Sequence, residues 1–131
     1  MSREKVVFYC GFVSNDARRR TVFCAETQNE DYVSLRGVAN DIKTSIKDCV
    51  KDIKNAVGTK RVELHIPVEY LKDVKAEARK INLNTNIVPE INEFDKCTCA
   101  CYKVLYGNYS TEYLAYEMGA YKYNRNSRFI G

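Results

Sequence analysis

Apolar side chains fall in short blocks along this chain, and their spacing changes from block to block. Val6 to Val13 is almost continuously apolar and rich in β-branched and aromatic residues, which predicts a buried strand. Ser14-Asn15-Asp16-Ala17 supplies a turn, and Arg18-Arg19-Arg20 leads into Thr21-Val22-Phe23-Cys24-Ala25-Glu26, a second strand antiparallel to the first. Gln28-Asn29-Glu30-Asp31 is the next turn, followed by a short third strand from Tyr32 to Leu35. The period then lengthens. Val38, Ile42, Ile46, Cys49, Val50, Ile53 and Val57 recur at helical spacing, with Asp41, Lys43, Lys47, Asp48, Lys51, Asp52 and Lys54 on the other faces and Gly58 as a stop. Arg61 to Ile66 reads as a fourth strand, parallel to the first because a helix precedes it. Pro67 ends that strand and suits the first turn of a helix with Tyr70, Leu71, Val74, Ala78 and Ile81 on its apolar side. Asn82 to Asn92 has no clear period and fits a short strand or a loop. Lys96 to Leu105 predicts a fifth strand. Gly107-Asn108 then makes a turn, Ser110 is a candidate N-cap, and Leu114, Met118 and Tyr121 mark a final helix.

The expected architecture is α/β: a three-strand antiparallel meander, then helix, strand, helix, strand, helix, in one mixed five-stranded sheet. A length of 131 residues fits one domain, here residues 1–121, with 122–131 as a basic C-terminal tail. Hydrophobic residues at 45% and charged residues at 29% match a globular domain, and two prolines and six glycines argue against a long disordered stretch. No apolar run approaches the roughly 20 residues of a membrane helix. The N-terminal segment lacks a signal-like cleavage region, so a cytoplasmic or otherwise intracellular location is expected and six cysteines are read as reduced thiols.

The order of elements resembles the ribonuclease H-like fold over nearly the whole chain. The resemblance implies acidic residues at four places. At the end of the first strand an acid-glycine pair is expected and Cys10-Gly11 stands there. At the start of the long helix Glu-Leu is expected and Ser34-Leu35 stands there, after Asn29 in the preceding turn. The fourth strand should end in Asp, with a Tyr shortly after; Ile66-Pro67-Val68-Glu69-Tyr70 supplies the Tyr and replaces the acid by Pro67. The last helix should carry an acid before Leu-Ala, and Glu112 precedes Tyr113-Leu114-Ala115. Nucleases of this fold hold two divalent ions that stabilise the attacking and leaving oxygens of a phosphodiester. Magnesium requires hard oxygen ligands, which Cys10 and Pro67 do not supply. The resemblance therefore implies a pseudo-enzyme with no metal and no other cofactor, Glu112 alone being retained.

Other groups invite chemical readings. Alternate residues of a strand stand about 6.6–6.8 Å apart, too far for Cys97, Cys99 and Cys101 to share one zinc at Zn–S distances of about 2.3 Å. These cysteines are expected to be small buried residues. Cys10 and Cys24 lie on paired strands and are expected in the core, where they could be neighbours. His65, the single histidine, could meet Cys10 as a catalytic pair, although a packed structural histidine fits its strand position better. No glycine-rich phosphate loop is present.

The net charge of +4 is modest, but Arg18, Arg19 and Arg20 form its densest run. With Lys122, Arg125 and Arg128 they make a candidate phosphate-binding surface, on which Tyr123 or Phe129 could stack a base. The alternative for these residues is a solvated hairpin tip and tail. The first functional expectation is thus a catalytically inactive module that binds nucleic acid, RNA or an RNA–DNA hybrid. The second is a protein-interaction or assembly domain, of the kind found in viruses or mobile elements, to which ten tyrosines are suited and which would have a protein partner or form a homo-oligomer. The third is a divalent-metal nuclease with relocated acids. No membrane partner is expected.

Overall fold

The computed structural model describes residues 5–15 and 19–90. Its elements are β1 (Val6–Asn15), β2 (Arg20–Glu26), β3 (Leu35–Ala39), α1 (Ile42–Val57), β4 (Val62–Pro67), a 3-10 turn (Val68–Tyr70), α2 (Leu71–Lys80) and β5 (Thr85–Glu90). The five strands form one mixed α/β sheet in the order β3-β2-β1-β4-β5. β1, β2 and β3 are an antiparallel meander; β4 is parallel to β1, and β5 to β4.

Strand alternation sorts the sheet into two faces. Val6, Phe8, Cys10 and Phe12 of β1, Phe23 and Ala25 of β2, and Val62, Leu64 and Ile66 of β4 meet Ile46, Cys49, Val50, Ile53 and Val57 of α1 and Val74 and Ala78 of α2 in one core. Both helices therefore cover the same face. Phe8, Ile53 and Leu64 are fully buried there, each removing apolar area from water. Val22 and Cys24 are also fully buried, but on the opposite face.

Helix α1 follows the sequence pattern closely. Asp41 is its N-cap: its backbone is extended and its carboxylate accepts from the Thr44 amide at 2.8 Å. Gly58 ends it at φ 63°, a conformation that costs an L side chain strain, with its amide donating to the Lys54 carbonyl at 2.8 Å.

Two elements depart from the expected places. The third strand is Leu35–Ala39, later than Tyr32 to Leu35, and it takes Val38 out of the helical series. The turn before it is longer because Asn29 organises it: its side chain accepts from the Asp31 amide at 2.9 Å and its carbonyl from the Tyr32 amide at 3.1 Å. Val38 then pairs with Val22, Gly37 with Phe23, and an Arg36–Glu26 ion pair at 2.8 Å crosses the two strands. The fifth strand of this sheet is Thr85–Glu90, in the segment without a clear period. The strand expected at Lys96 to Leu105 and the final helix lie outside the described residues. Among the described residues no helix is long and apolar enough to cross a membrane.

Candidate nucleic-acid interface

The directions of the elements bring one end of the sheet together. β1, β4 and β5 all finish there, at Asn15, Pro67 and Glu90; antiparallel β2 begins there at Arg20, β3 ends there at Ala39, and α1 starts there. In open α/β sheets this end is where ligands commonly bind.

The hairpin tip closes at this end. Arg19 takes a positive φ of 51°, and Asn15 pairs with Arg20. Below the tip, the hydroxyls of Ser14 and Thr21 lie 3.0 Å apart, tying the two strands at their neck. The first turn of α1 lies beside the tip. A hollow of about 560 Å³ separates them, lined by Ser14, Arg19, Arg20, Thr21, Asn40, Asp41 and Ile42. Two exposed guanidiniums and the start of a sixteen-residue helix therefore border one concavity. Both favour an anion: the guanidinium by charge and bidentate donation, the helix start by its amides and dipole. Asp41 opposes them. The Thr44 amide holds its carboxyl below the usual range, so it stays ionised, and its charge offsets one of the two arginines.

Of the sequence-derived surface, Arg19 and Arg20 lie at this hollow. Arg18, Lys122, Tyr123, Arg125 and Arg128 lie outside the described residues, as do Cys97, Cys99, Cys101 and Glu112. The hollow also draws in Asn40 and Asp41, which the sequence reading did not single out. Their only signal is Asp41 as an N-cap immediately before the apolar period of α1.

Of the positions matched to the ribonuclease H carboxylates, Cys10, Ser34 and Pro67 are among the described residues. Cys10 is 2% exposed, inside the helix-packed apolar core. Pro67 ends β4, opposite Glu90 of β5. Ser34 does not start the long helix as expected. It sits in the loop before β3, where its hydroxyl accepts from the Thr27 amide at 3.2 Å, because β3 intervenes between it and α1. Among the described residues no three His, Cys, Asp or Glu side chains converge as a metal site.

Neither proposed cysteine pairing forms. Tyr9, not Cys10, stands beside His65 in the register, so Cys10 and His65 project from opposite faces of the sheet. Cys24 pairs across from Gly11, which likewise places Cys10 and Cys24 on opposite faces; both are buried.

His65 instead joins a chain of charged groups on the face away from the helices. Its Nε2 lies 2.6 Å from Glu63 Oε2 and its Nδ1 2.6 Å from Glu90 Oε2. The other oxygen of Glu63 accepts from Lys5 Nζ at 3.2 Å. The Tyr9 ring lies over the imidazole, centroids 4.4 Å apart. The two carboxylates meet opposite nitrogens of the ring, so this arrangement is a hydrogen-bonded chain and not a metal cradle. Burial pushes the His65 pKa down, but the bonds to Glu90 and Glu63 outweigh it and the net shift is upward from 6.5. The His65 bond, then that of Lys5, holds Glu63 below its ordinary 4.5.

Comparison with protein families, curated proteins and solved structures finds no match.

Proposed function

We propose that this chain is a nucleic-acid-binding module of ribonuclease H-like architecture that grips phosphate at the hairpin–α1 corner and does not cut. The observation that carries the reading is the hollow in which Arg19 and Arg20 face the start of α1. A phosphate there would meet the two guanidiniums and the positive end of the α1 dipole, with the Asp41 carboxylate opposing them. The ribonuclease H-like assignment draws support from the β3-β2-β1-β4-β5 order, with its antiparallel meander and its two parallel strands added beside β1. The inactive reading draws support from Cys10 within the apolar core and from Pro67 at the end of β4.

Fluorescence anisotropy with a labelled single-stranded RNA and with an RNA–DNA hybrid, from 50 to 200 mM salt, tests this reading. The chain should bind in a salt-sensitive manner. If each arginine neutralises one phosphate, Arg19→Ala with Arg20→Ala should lower the slope of log K against log salt on the single strand by about 1.4, at roughly 0.7 for each lost contact. An unchanged slope, or no binding at 50 mM salt, would refute the corner. Magnesium-dependent cleavage of the hybrid would refute the inactive reading. A stable complex with protein alone, with no affinity for nucleic acid, would favour the interaction-domain alternative.

A further inference from the structure

A charged chain runs across β4 to β5 on the face of the sheet away from α1 and α2. Lys5, just before β1, holds Glu63 of β4; Glu63 holds His65 two residues along the same strand; His65 reaches Glu90, the last residue of β5. Among the described residues Glu90 is the one side chain of β5 tied into this chain, and His65 is its link. Among the described residues Glu63, Glu90 and Tyr9 meet His65 directly, and Lys5 reaches it through Glu63.

The hydrogen count of the imidazole decides when the chain is complete. A neutral ring has one N–H and one lone pair, so it donates to one carboxylate and turns a lone pair to the other. A carboxylate oxygen 2.6 Å from each ring nitrogen is satisfied on both sides only by the imidazolium, which donates twice. Side-chain exposures of 14% for His65 and 17% for Glu63 leave little water to replace a lost partner. Loss of one proton must therefore break or weaken one arm. The Glu63 arm is anchored by Lys5 and lies within β4, whereas Glu90 is 35% exposed and stands at the end of a strand that pairs only with β4 among the described residues. The arm that gives way is the one to β5.

We propose that the Lys5–Glu63–His65–Glu90 chain is a pH-gated clasp on β5, closed while His65 carries both ring protons and opened at the Glu90 arm when it loses one. The clasp is independent of the proposed nucleic-acid corner. The raised His65 pKa fixes the direction: its contribution is fully present below 6.5 and is lost as pH rises through the folded-state value. The lowered Glu63 pKa sets the acid limit, since that group's contribution is present above 4.5 and is lost as pH falls through its own folded-state value.

The test uses the full chain. His65 is the single histidine, so one imidazole resonance reports its titration by NMR. Amide hydrogen exchange at β5 is followed across the same pH series and normalised to β1 and β2. The midpoint should exceed 6.5. Normalised protection of β5 should fall through that midpoint by up to about tenfold for each unit by which it exceeds 6.5. Glu90→Gln should lower the midpoint and make β5 protection independent of His65, and His65→Gln should hold β5 at its high-pH level throughout. A midpoint at or below 6.5 would overturn the clasp. So would β5 protection that tracks β1 and β2 through the titration, or a Glu90→Gln midpoint equal to that of the parent chain.

Discussion

Replacing Gly37 by alanine should destabilise the protein, against the usual direction of such a change. A glycine inside a strand weakens it, and Gly→Ala at a compatible backbone position ordinarily stabilises by about 0.4–1 kcal/mol through the unfolded chain. Gly37 pairs across from Phe23, whose ring packs against the glycine. A Cβ on residue 37 would overlap Phe23 Cε2 and stand 3.0 Å from Cζ and 3.1 Å from Cδ2. Carbon atoms pack at about 3.5–4.0 Å, so the ring must move. Phe23 is 1% exposed and belongs to the core shared with α1, which leaves it nowhere to go without displacing other side chains. Overpacking of this kind costs about 1–3 kcal/mol. At about 4 °C per kcal/mol for a chain of this size, thermal unfolding followed by circular dichroism should fall by about 4–12 °C. Phe23→Leu added to Gly37→Ala should recover part of the loss, giving a non-additive cycle. A melting temperature that holds or rises on Gly37→Ala alone would refute the β2–β3 register and, with it, the placement of β3 at Leu35–Ala39.

Asp41 has two roles with separable readouts. Asp41→Ala should lower the melting temperature by a few degrees through loss of the α1 cap, whereas Asp41→Asn should keep the cap and, by removing a charge from the hollow, tighten RNA binding severalfold in the anisotropy assay. Cys10→Asp should not rebuild a metal site: it places a carboxylate in an apolar core at a cost of about 3–5 kcal/mol, and denaturant melts with and without magnesium should coincide.

The parts of the fold that a reader of the sequence can place are those with local signals. The α1 period runs unbroken between its own cap at Asp41 and its own stop at Gly58, and β1 is a single apolar block. Val38 misleads because it stands one helical turn before Ile42 and matches the α1 period; what removes it is the pairing with Val22, a contact between distant residues. Gly37 carries no such local signal, yet it is the residue that lets the Phe23 ring approach β3. β5 is hidden for a similar reason. Asn86 and Pro89 are poor strand formers, and the strand is held by its register with β4 and by the Thr85 hydroxyl donating to the Val62 carbonyl at 2.8 Å.

The sites divide in the same way. The arginine run is visible as charge, but its neighbour, the start of α1, is not, because that proximity depends on β3 running back towards the tip. Glu63 and His65 are two apart on one strand and so share a face on sequence grounds. Glu90 has no sequence signal linking it to them. The match of Ser34 to the start of the long helix fails for a physical reason: β3 has to be completed first.

The most direct test of the account is an amide chemical-shift map of the full chain titrated with a short single-stranded RNA at low salt. The largest shifts should fall on Arg19, Arg20, Thr21 and the segment Asn40–Thr44, and should disappear both at high salt and in the Arg19→Ala, Arg20→Ala variant. Shifts of equal size in that variant, shifts centred on another part of the sheet, or none at all would contradict the claim that this corner binds nucleic acid.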